Sequence, residues 1–293
     1  MNTNCLLVRL RSLRVVLLLA IILCFAAHGM AQTPTKPNPQ PTPSLEKKFF
    51  VNVLRDQRAI WTSPFHMHGS DAKWLAPLGL STVALIATDR RTAGELLANG
   101  NNLHRLRVSR DISWFGSTYA TAGTAGILYL AGRATHNDHL RETGLLGAEA
   151  LLDSGIVVTA LKTVSQRQRP TTDHASGEFF DGGASFPSGH AISAWSLATV
   201  IAKEYGHRRP LVQIGAYGLA AAVSLSRYTG SNHFLSDVLV GSAMGYGIGR
   251  YVYRINDADN RRIDGRTARS GRNHSPPSEE SRGCRRHRST HAS

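Results

Sequence analysis

The sequence has few of the residues that staple or metallate a fold. Of its three cysteines, Cys5 and Cys24 lie in an N-terminal run with the marks of an export signal, and Cys284 lies near the C-terminus. With the signal removed, a single cysteine remains, which excludes an intrachain disulfide and a Cys-rich metal site. Packing must therefore hold the fold together. Period-2 alternation of apolar and polar residues is missing, and Ala, Gly and Leu outweigh Val, Ile and Thr, which argues against strands. There is no internal repeat. No basic run is interleaved with aromatics, so nucleic acid is not an expected partner.

Positive charge, by contrast, is in excess, with a net +14 that is unevenly spread. Arg9, Arg11 and Arg14 contribute three, and from Arg254 onward ten arginines face five acids, leaving six for everything between. A balance of this kind suits an anionic membrane surface or anionic substrates. Residues 1–31 read as a secretory signal: the three arginines, an uncharged apolar run over 15–27, and small residues at Gly29 and Ala31 for cleavage before Gln32. The run is short for crossing ~30 Å of hydrocarbon, and Leu23 before Cys24 fits a lipoprotein site poorly. Export to the periplasm is expected, with association with, or insertion in, the inner membrane as the alternative. Residues 32–44 carry Pro34, Pro37, Pro39, Pro41 and Pro43 and form a linker. Residues 45–255 form the expected domain. From 256 to 293 apolar residues nearly vanish, which predicts a disordered basic tail.

Within the domain, apolar segments alternate with charged or turn residues. They cover 45–61, 74–87 (closed by Asp89-Arg90-Arg91), 92–103, 112–132, 140–162 with Glu149 and Asp153 inside, 189–205, 211–226 and 234–253. The pattern predicts an all-α, single helical bundle of about six to eight helices with the active site at helix ends. An exported globular domain is favoured over an integral membrane bundle. Trp61, Phe65 and Trp74 are assigned to the core. Gly241, Gly245 and Gly249, four residues apart, suit close helix packing better than a phosphate loop, because no strand precedes them. His66 and His68 lack further ligands nearby and are not read as a metal pair. His174 and Asp173 fall in a loop that can line an entrance.

Three clusters carry chemistry. His233 and Asp237 stand four apart at the start of an apolar run, a spacing that on a helix puts both on one face. A carboxylate accepting the imidazole Nδ1–H leaves Nε2 free as a nucleophile. Pro187-Ser188-Gly189-His190 reads as a helix opening, with Ser188 as N-cap, Gly189 allowing close approach of an anion to the main chain, and His190 in the first turn. Lys162, Arg169 and Arg227 supply cations, of which the arginines suit bidentate phosphate contact. A helix through Lys162 is expected to end near Pro170. Arg167, the extra cation between Lys162 and Arg169, is assigned to the solvated surface.

Together the clusters run Lys162-x6-Arg169-Pro170, then Pro187-Ser188-Gly189-His190, then Ser226-Arg227-x5-His233-x3-Asp237. In this the chain resembles the superfamily of type-2 phosphatidic acid phosphatases, bacterial acid phosphatases and vanadium haloperoxidases. The resemblance covers residues 162–237 directly. It implies that His233 takes the phosphoryl group, that Asp237 orients it and that His190 protonates the leaving oxygen. It further implies that Lys162, Arg169, Arg227, Ser188 and Gly189 hold the non-bridging oxygens, with no metal and no cofactor required. Fixed cations are physically suited to this task, because phosphoryl transfer depends chiefly on positioning and charge neutralisation. The implied substrate is a phosphomonoester or pyrophosphate, foremost a lipid phosphate such as phosphatidic acid or an isoprenyl pyrophosphate. A soluble nonspecific acid phosphatase is the alternative. A haloperoxidase with vanadate as cofactor would use the same pocket, although the chain is short for one. An anion-binding protein without turnover would have no need of the complete His233–Asp237–His190 set.

Overall fold

The computed structural model describes residues 45–66, 68–98, 102–172, 176–206 and 209–272. The expected export signal and linker, together with Asp173 and His174, lie outside the described residues. The described residues contain eight α-helices and no strand. In order they are α1 (Leu45–Thr62), α2 (Ala72–Ala98), α3 (Leu103–Ser113), α4 (Thr118–Ala134), α5 (Asp138–Ser165), α6 (Gly189–Tyr205), α7 (Pro210–Thr229) and α8 (Leu235–Arg272). The expected all-α architecture is thus met at the upper end of the expected helix count. The first of two compact units closes at Tyr253; the backbone is helical to Arg272, so residues 256–272 are not the disordered stretch expected, and the rest of the expected tail, 273–293, lies outside the described residues.

Local chemistry starts the helices where the sequence permits. The Asn102, Ser117 and Asn137 side chains accept hydrogen bonds from the N–H groups of Arg105, Ala120 and Leu140 at 3.1, 3.2 and 3.1 Å. Each satisfies a donor that the first helical turn leaves free. Pro210 opens α7, where its missing N–H costs nothing.

Three segment boundaries differ from expectation. Residues 74–87 and 92–98 are not two segments, because α2 runs unbroken through Asp89-Arg90-Arg91, and Leu103 opens α3 instead of closing this stretch. These charged residues are compatible with a helix, and Asp89 faces inward. The uncharged stretch 112–132 is divided by a 3-10 turn at Trp114–Gly116, after which Ser117 caps α4. The helix carrying Lys162 stops at Ser165, short of Pro170, because Gln166 turns left-handed at φ 42° and its N–H closes on the Lys162 carbonyl at 3.0 Å.

The central helix is α6. Its residues 189–202 are uncharged, and a helix that is apolar all round must be surrounded. Ile192 and Val200 pack with Leu146, Ala150 and Val157 of α5 and with Ile248 and Val252 of α8. Leu197 and Ile201 meet Ala125 and Leu128 of α4. Ala194 and Ala198 meet Ala220 and Val223 of α7. Each fully buried Ile, Leu or Val contributes roughly 1.5–3 kcal/mol. The glycine stripe of α8 is a packing surface, as expected. A Cβ on Gly241, Gly245 or Gly249 would come within 2.7, 2.3 and 2.5 Å of the carbonyl oxygens of Ser188, Ile192 and Ser196. Two period-four ridges therefore meet backbone to backbone.

The core assignment of Trp61, Phe65 and Trp74 is corrected. They are 44%, 85% and 81% exposed: Trp61 stands in the last turn of α1, Phe65 in the 3-10 turn Ser63–His66 that follows it, and Trp74 in the first turn of α2. Leu80 and Val83 of α2 and Leu211 and Ile214 of α7 are exposed as well. One helix among the described residues, α5, is long and apolar enough to cross a membrane.

Candidate active site

Every cluster singled out in the sequence arrives at one end of the bundle. Lys162 lies in the last turn of α5, Ser188 to His190 at the start of α6, Arg227 in the last turn of α7, and Asp237 in the first turn of α8. Successive helices reverse direction, so ends and beginnings coincide. A cavity of about 320 Å³ is lined by Lys162, Arg169, Gly189, His190, Arg227 and His233. It continues between α4 and α5, past Ala122, Leu151, Gly155 and Val158. Ser188 and Asp237 stand immediately behind this lining.

His233 is not on the helix that carries Asp237, contrary to the reading of the spacing. It belongs to the α7–α8 connection and is 3% exposed. Its N–H donates to the Arg227 carbonyl at 3.2 Å, which ties it to one of the cations. Asp237 nevertheless reaches it. The Asp237 Oδ2 caps the N–H of Phe234 at 3.1 Å, in the manner of the third helical residue of a capping box, and lies 3.5 Å from His233 Nδ1. The residue thus caps its helix and orients the imidazole at once. The Ser185 hydroxyl, which the sequence reading did not single out, donates to the same carboxylate oxygen.

Electrostatics follow from burial among cations. Burial pushes the His233 imidazole down to about 4, against the pull of Asp237 and with the help of Arg227 and Lys162. It is neutral at pH 7, the form with a lone pair available for attack. His190 is pushed down to about 3 by burial, then by Arg227, His233, Lys162 and Arg169. A bound phosphate would offset those charges, so proton donation by His190 depends on the substrate's own anion. Lys162 is lowered to about 8 by burial and by Arg169, and its ammonium donates to the Ala184 carbonyl. Burial also lowers Arg227 to about 10, with Arg169 adding to it. Burial alone would raise Asp237, but His233 and Arg167, with the Ser185 hydroxyl, hold it below the usual carboxylate range.

Ser188 occupies the N-cap position of α6 but makes no side-chain cap bond. Its hydroxyl is buried without a partner in the protein, and its N–H donates to the Asp237 carbonyl at 3.0 Å. An orphaned hydroxyl beside a helix N-terminus fits the phosphate-holding role that the resemblance implies. Arg227 Nη1 donates to Ser113 Oγ at 3.0 Å, which fixes its guanidinium from α3.

The assignment of Arg167 to the solvated surface is wrong. Its residue is 1% exposed. Nε donates to the Gly177 carbonyl at 3.1 Å, Nη1 to Asp237 Oδ1 at 2.6 Å and Ser236 Oγ at 2.7 Å, and Nη2 to Asp89 Oδ2 at 2.9 Å. The rings of Phe179 and Phe234 flank it, with centroids at 4.7 and 4.3 Å. A cation is buried only when so paired. Nothing in the local sequence pointed to this, because its partners stand 70 and 78 residues away. Among the described residues, no group of three or more His, Cys, Asp or Glu is arranged to hold a metal ion.

Comparison with known proteins places these features in a family. A model described as the PAP2 superfamily matches residues 143–261. The lipid A 1-phosphatase of Porphyromonas gingivalis is 40% identical over 73 residues, which are 25% of this chain and only 16% of that protein. The decaprenylphosphoryl-5-phosphoribose phosphatase of Mycobacterium tuberculosis is 34% identical over 129 residues, covering 43% of this chain and 68% of that protein. Among solved structures, the transmembrane PAP2 type phosphatidylglycerolphosphate phosphatase of Bacillus subtilis aligns over 72% of this chain and 95% of its own, at 21% identity and a TM-score of 0.49.

Proposed function

The chain belongs to the PAP2 superfamily, and from that premise we propose that it is a phosphatase acting on lipid phosphates through a phosphohistidine on His233. The observation that carries this reading is the cavity in which His233, His190, Lys162, Arg169 and Arg227 meet. Neutral His233, oriented through Nδ1 by Asp237, attacks phosphorus through Nε2. Lys162, Arg169, Arg227, the Ser188 hydroxyl and the Gly189 N–H take up the charge of the non-bridging oxygens. His190 gives its proton to the departing oxygen and then takes one from the water that frees His233. The cations are side chains, so the reaction needs no metal.

The substrate class rests on the continuation of the cavity. Beyond the phosphate end its lining mixes Ala122, Leu151, Gly155 and Val158 with Thr118, Thr121, Thr159 and Ser193, a wall suited to an apolar group that enters by a polar linkage. Leu152 and Ile156 are exposed on α5, and with the apolar exteriors of α2 and α7 they favour work at a membrane surface. Two relatives are themselves named for phosphatases of lipid A and of a decaprenyl-linked phosphate. The N-terminal run read as a signal would put this activity on the periplasmic side.

The test is phosphate release from phosphatidic acid, an isoprenyl pyrophosphate and p-nitrophenyl phosphate, with chelator present, by wild type and His233→Ala. The expected result is release from the lipid substrates that chelator leaves intact and His233→Ala abolishes. A strict metal requirement, or full activity in His233→Ala, would overturn the mechanism.

A further inference from the structure

The Asp237 carboxylate divides its two oxygens between different tasks. Oδ2 faces His233 Nδ1, the Ser185 hydroxyl and the Phe234 N–H. Oδ1 faces Arg167 alone, at 2.6 Å. Rotation of the carboxylate away from His233 therefore breaks the Arg167 bond. Arg167 cannot follow, because Gly177, Ser236 and Asp89 hold its other donors and two rings hold its faces. The Asp89 carboxylate also accepts from the Ser236 hydroxyl and, at 3.4 Å, from the Ser236 N–H, so α2 grips the first turn of α8 directly.

The charges are ordered as well as the atoms. Arg167 by itself would neutralise Asp237 and weaken its hold on the His233 proton. Asp89 supplies a second carboxylate on the far side of the guanidinium, 2% exposed like its partner. The row Asp89–Arg167–Asp237 thus carries one net negative charge towards His233, which must bear positive charge when phosphorylated. The other groups facing this row and His233 are Ser185 from the α5–α6 connection and, at longer range, His190 of α6 and the cations Lys162 of α5 and Arg227 of α7.

We propose that Arg167 and Asp89 are positioning residues for the reaction: a buried charge relay, with one member drawn from α2, that fixes Asp237 and through it the Nδ1–H tautomer of His233. This rests on the phosphatase reading above for its chemistry, but its geometry can be tested separately. A merely structural ion pair would affect folding and leave the surviving folded molecules chemically unchanged. A relay has a signature of sign. Removing the cation raises the pKa of Asp237 and of His233, and removing the far carboxylate lowers both.

The experiment compares full-length wild type, Arg167→Met, Arg167→Lys, Asp89→Asn and the exposed control Arg91→Gln. The His233 titration is read by 15N NMR, assigned by its loss in His233→Asn, and kcat and KM are measured across pH. The expected result is that kcat falls between about 10- and 100-fold in Arg167→Met and Asp89→Asn, a loss typical of supporting residues. KM should stay within about threefold, because the phosphate ligands are untouched. The His233 titration should move up in Arg167→Met and down in Asp89→Asn. Arg167→Lys should recover part of kcat, and Arg91→Gln should match wild type. If Arg167→Met does not fold, the downward shift in the near-isosteric Asp89→Asn still decides. An unmoved His233 titration with wild-type kcat in the folded variants overturns the relay. A wild type that releases no phosphate, yet shows the opposed titration shifts, would overturn the phosphatase reading and leave the relay standing.

Discussion

Replacing Gly245 by Ala should damage both stability and turnover, whereas the same change two residues later should not. An added Cβ at 245 lies 2.3 Å from the Ile192 carbonyl oxygen and 2.9 Å from the Trp195 Cβ. The first contact is about 1 Å short of ordinary van der Waals distance, and a backbone carbonyl in the middle of α6 cannot swing aside. Helix α8 must therefore move out. Overpacking of this kind costs typically 1–3 kcal/mol, offset by up to ~1 kcal/mol from the better helix propensity of Ala. A net loss of about 1–2 kcal/mol lowers Tm by roughly 3–6 °C in a domain of this size. The same displacement strains the 3.0 Å bond from the Ser188 N–H to the Asp237 carbonyl, which ties the phosphate-binding end of α6 to the helix of Asp237. A misplacement near 1 Å costs up to ~100-fold in rate. Gly247 has nothing within 4 Å of its notional Cβ, so Gly247→Ala should be neutral or slightly stabilising. Thermal unfolding and kcat measured side by side decide the matter. Wild-type Tm and kcat in Gly245→Ala, or equal damage from both substitutions, would refute the idea that the α6–α8 contact sets the site.

Two more outcomes follow from the buried charges. His233 is lowered to about 4 and Lys162 to about 8, so kcat/KM should be flat from about pH 5 to 7. It should fall below about 4 as His233 takes a proton, and above about 8 as Lys162 loses one; a limb centred near 6.5 would contradict the neutral, buried imidazole. Glu149, 2% exposed and flanked by Asp56 and Asp153, is raised to about 8, mainly by burial and then by Asp56. The folded chain keeps a proton there that the unfolded chain releases near 4.5, so stability is lost as pH rises from about 4.5 to 8, on the order of 4 kcal/mol. Glu149→Gln should therefore unfold at a higher temperature than wild type at pH 8 but not at pH 4, and parallel Tm–pH curves would contradict this.

The cluster residues were legible because their chemistry is local in sequence. Ser188 opens a helix, and the uncharged run after Gly189 demands a buried one; each is decided within a few neighbours. The glycine stripe was legible for the same reason, since its period is that of a helix face. What escaped was long-range. Arg167 reads as one more surface cation until Asp89, 78 residues earlier, is brought beside it. Asp89 in turn reads as a turn residue, because a buried acid inside a helix cannot be told from an exposed one without its partner. Ser185 is an ordinary loop serine until the fold lays it on Asp237. Trp61, Phe65 and Trp74 were misplaced because large aromatics usually mark a core, and whether another helix covers them is a tertiary matter.

The most direct test of the central claim is to find where the phosphoryl group rests during turnover. Wild type is mixed with labelled phosphatidic acid, quenched in alkali within a turnover and digested, and the phosphopeptides are identified by mass spectrometry. The expected result is an acid-labile phosphate on His233, absent in His233→Ala and accumulating in His190→Ala when a good leaving group is supplied. Label on a different side chain, or a steady release of phosphate with no labelled protein under any quench, would contradict it.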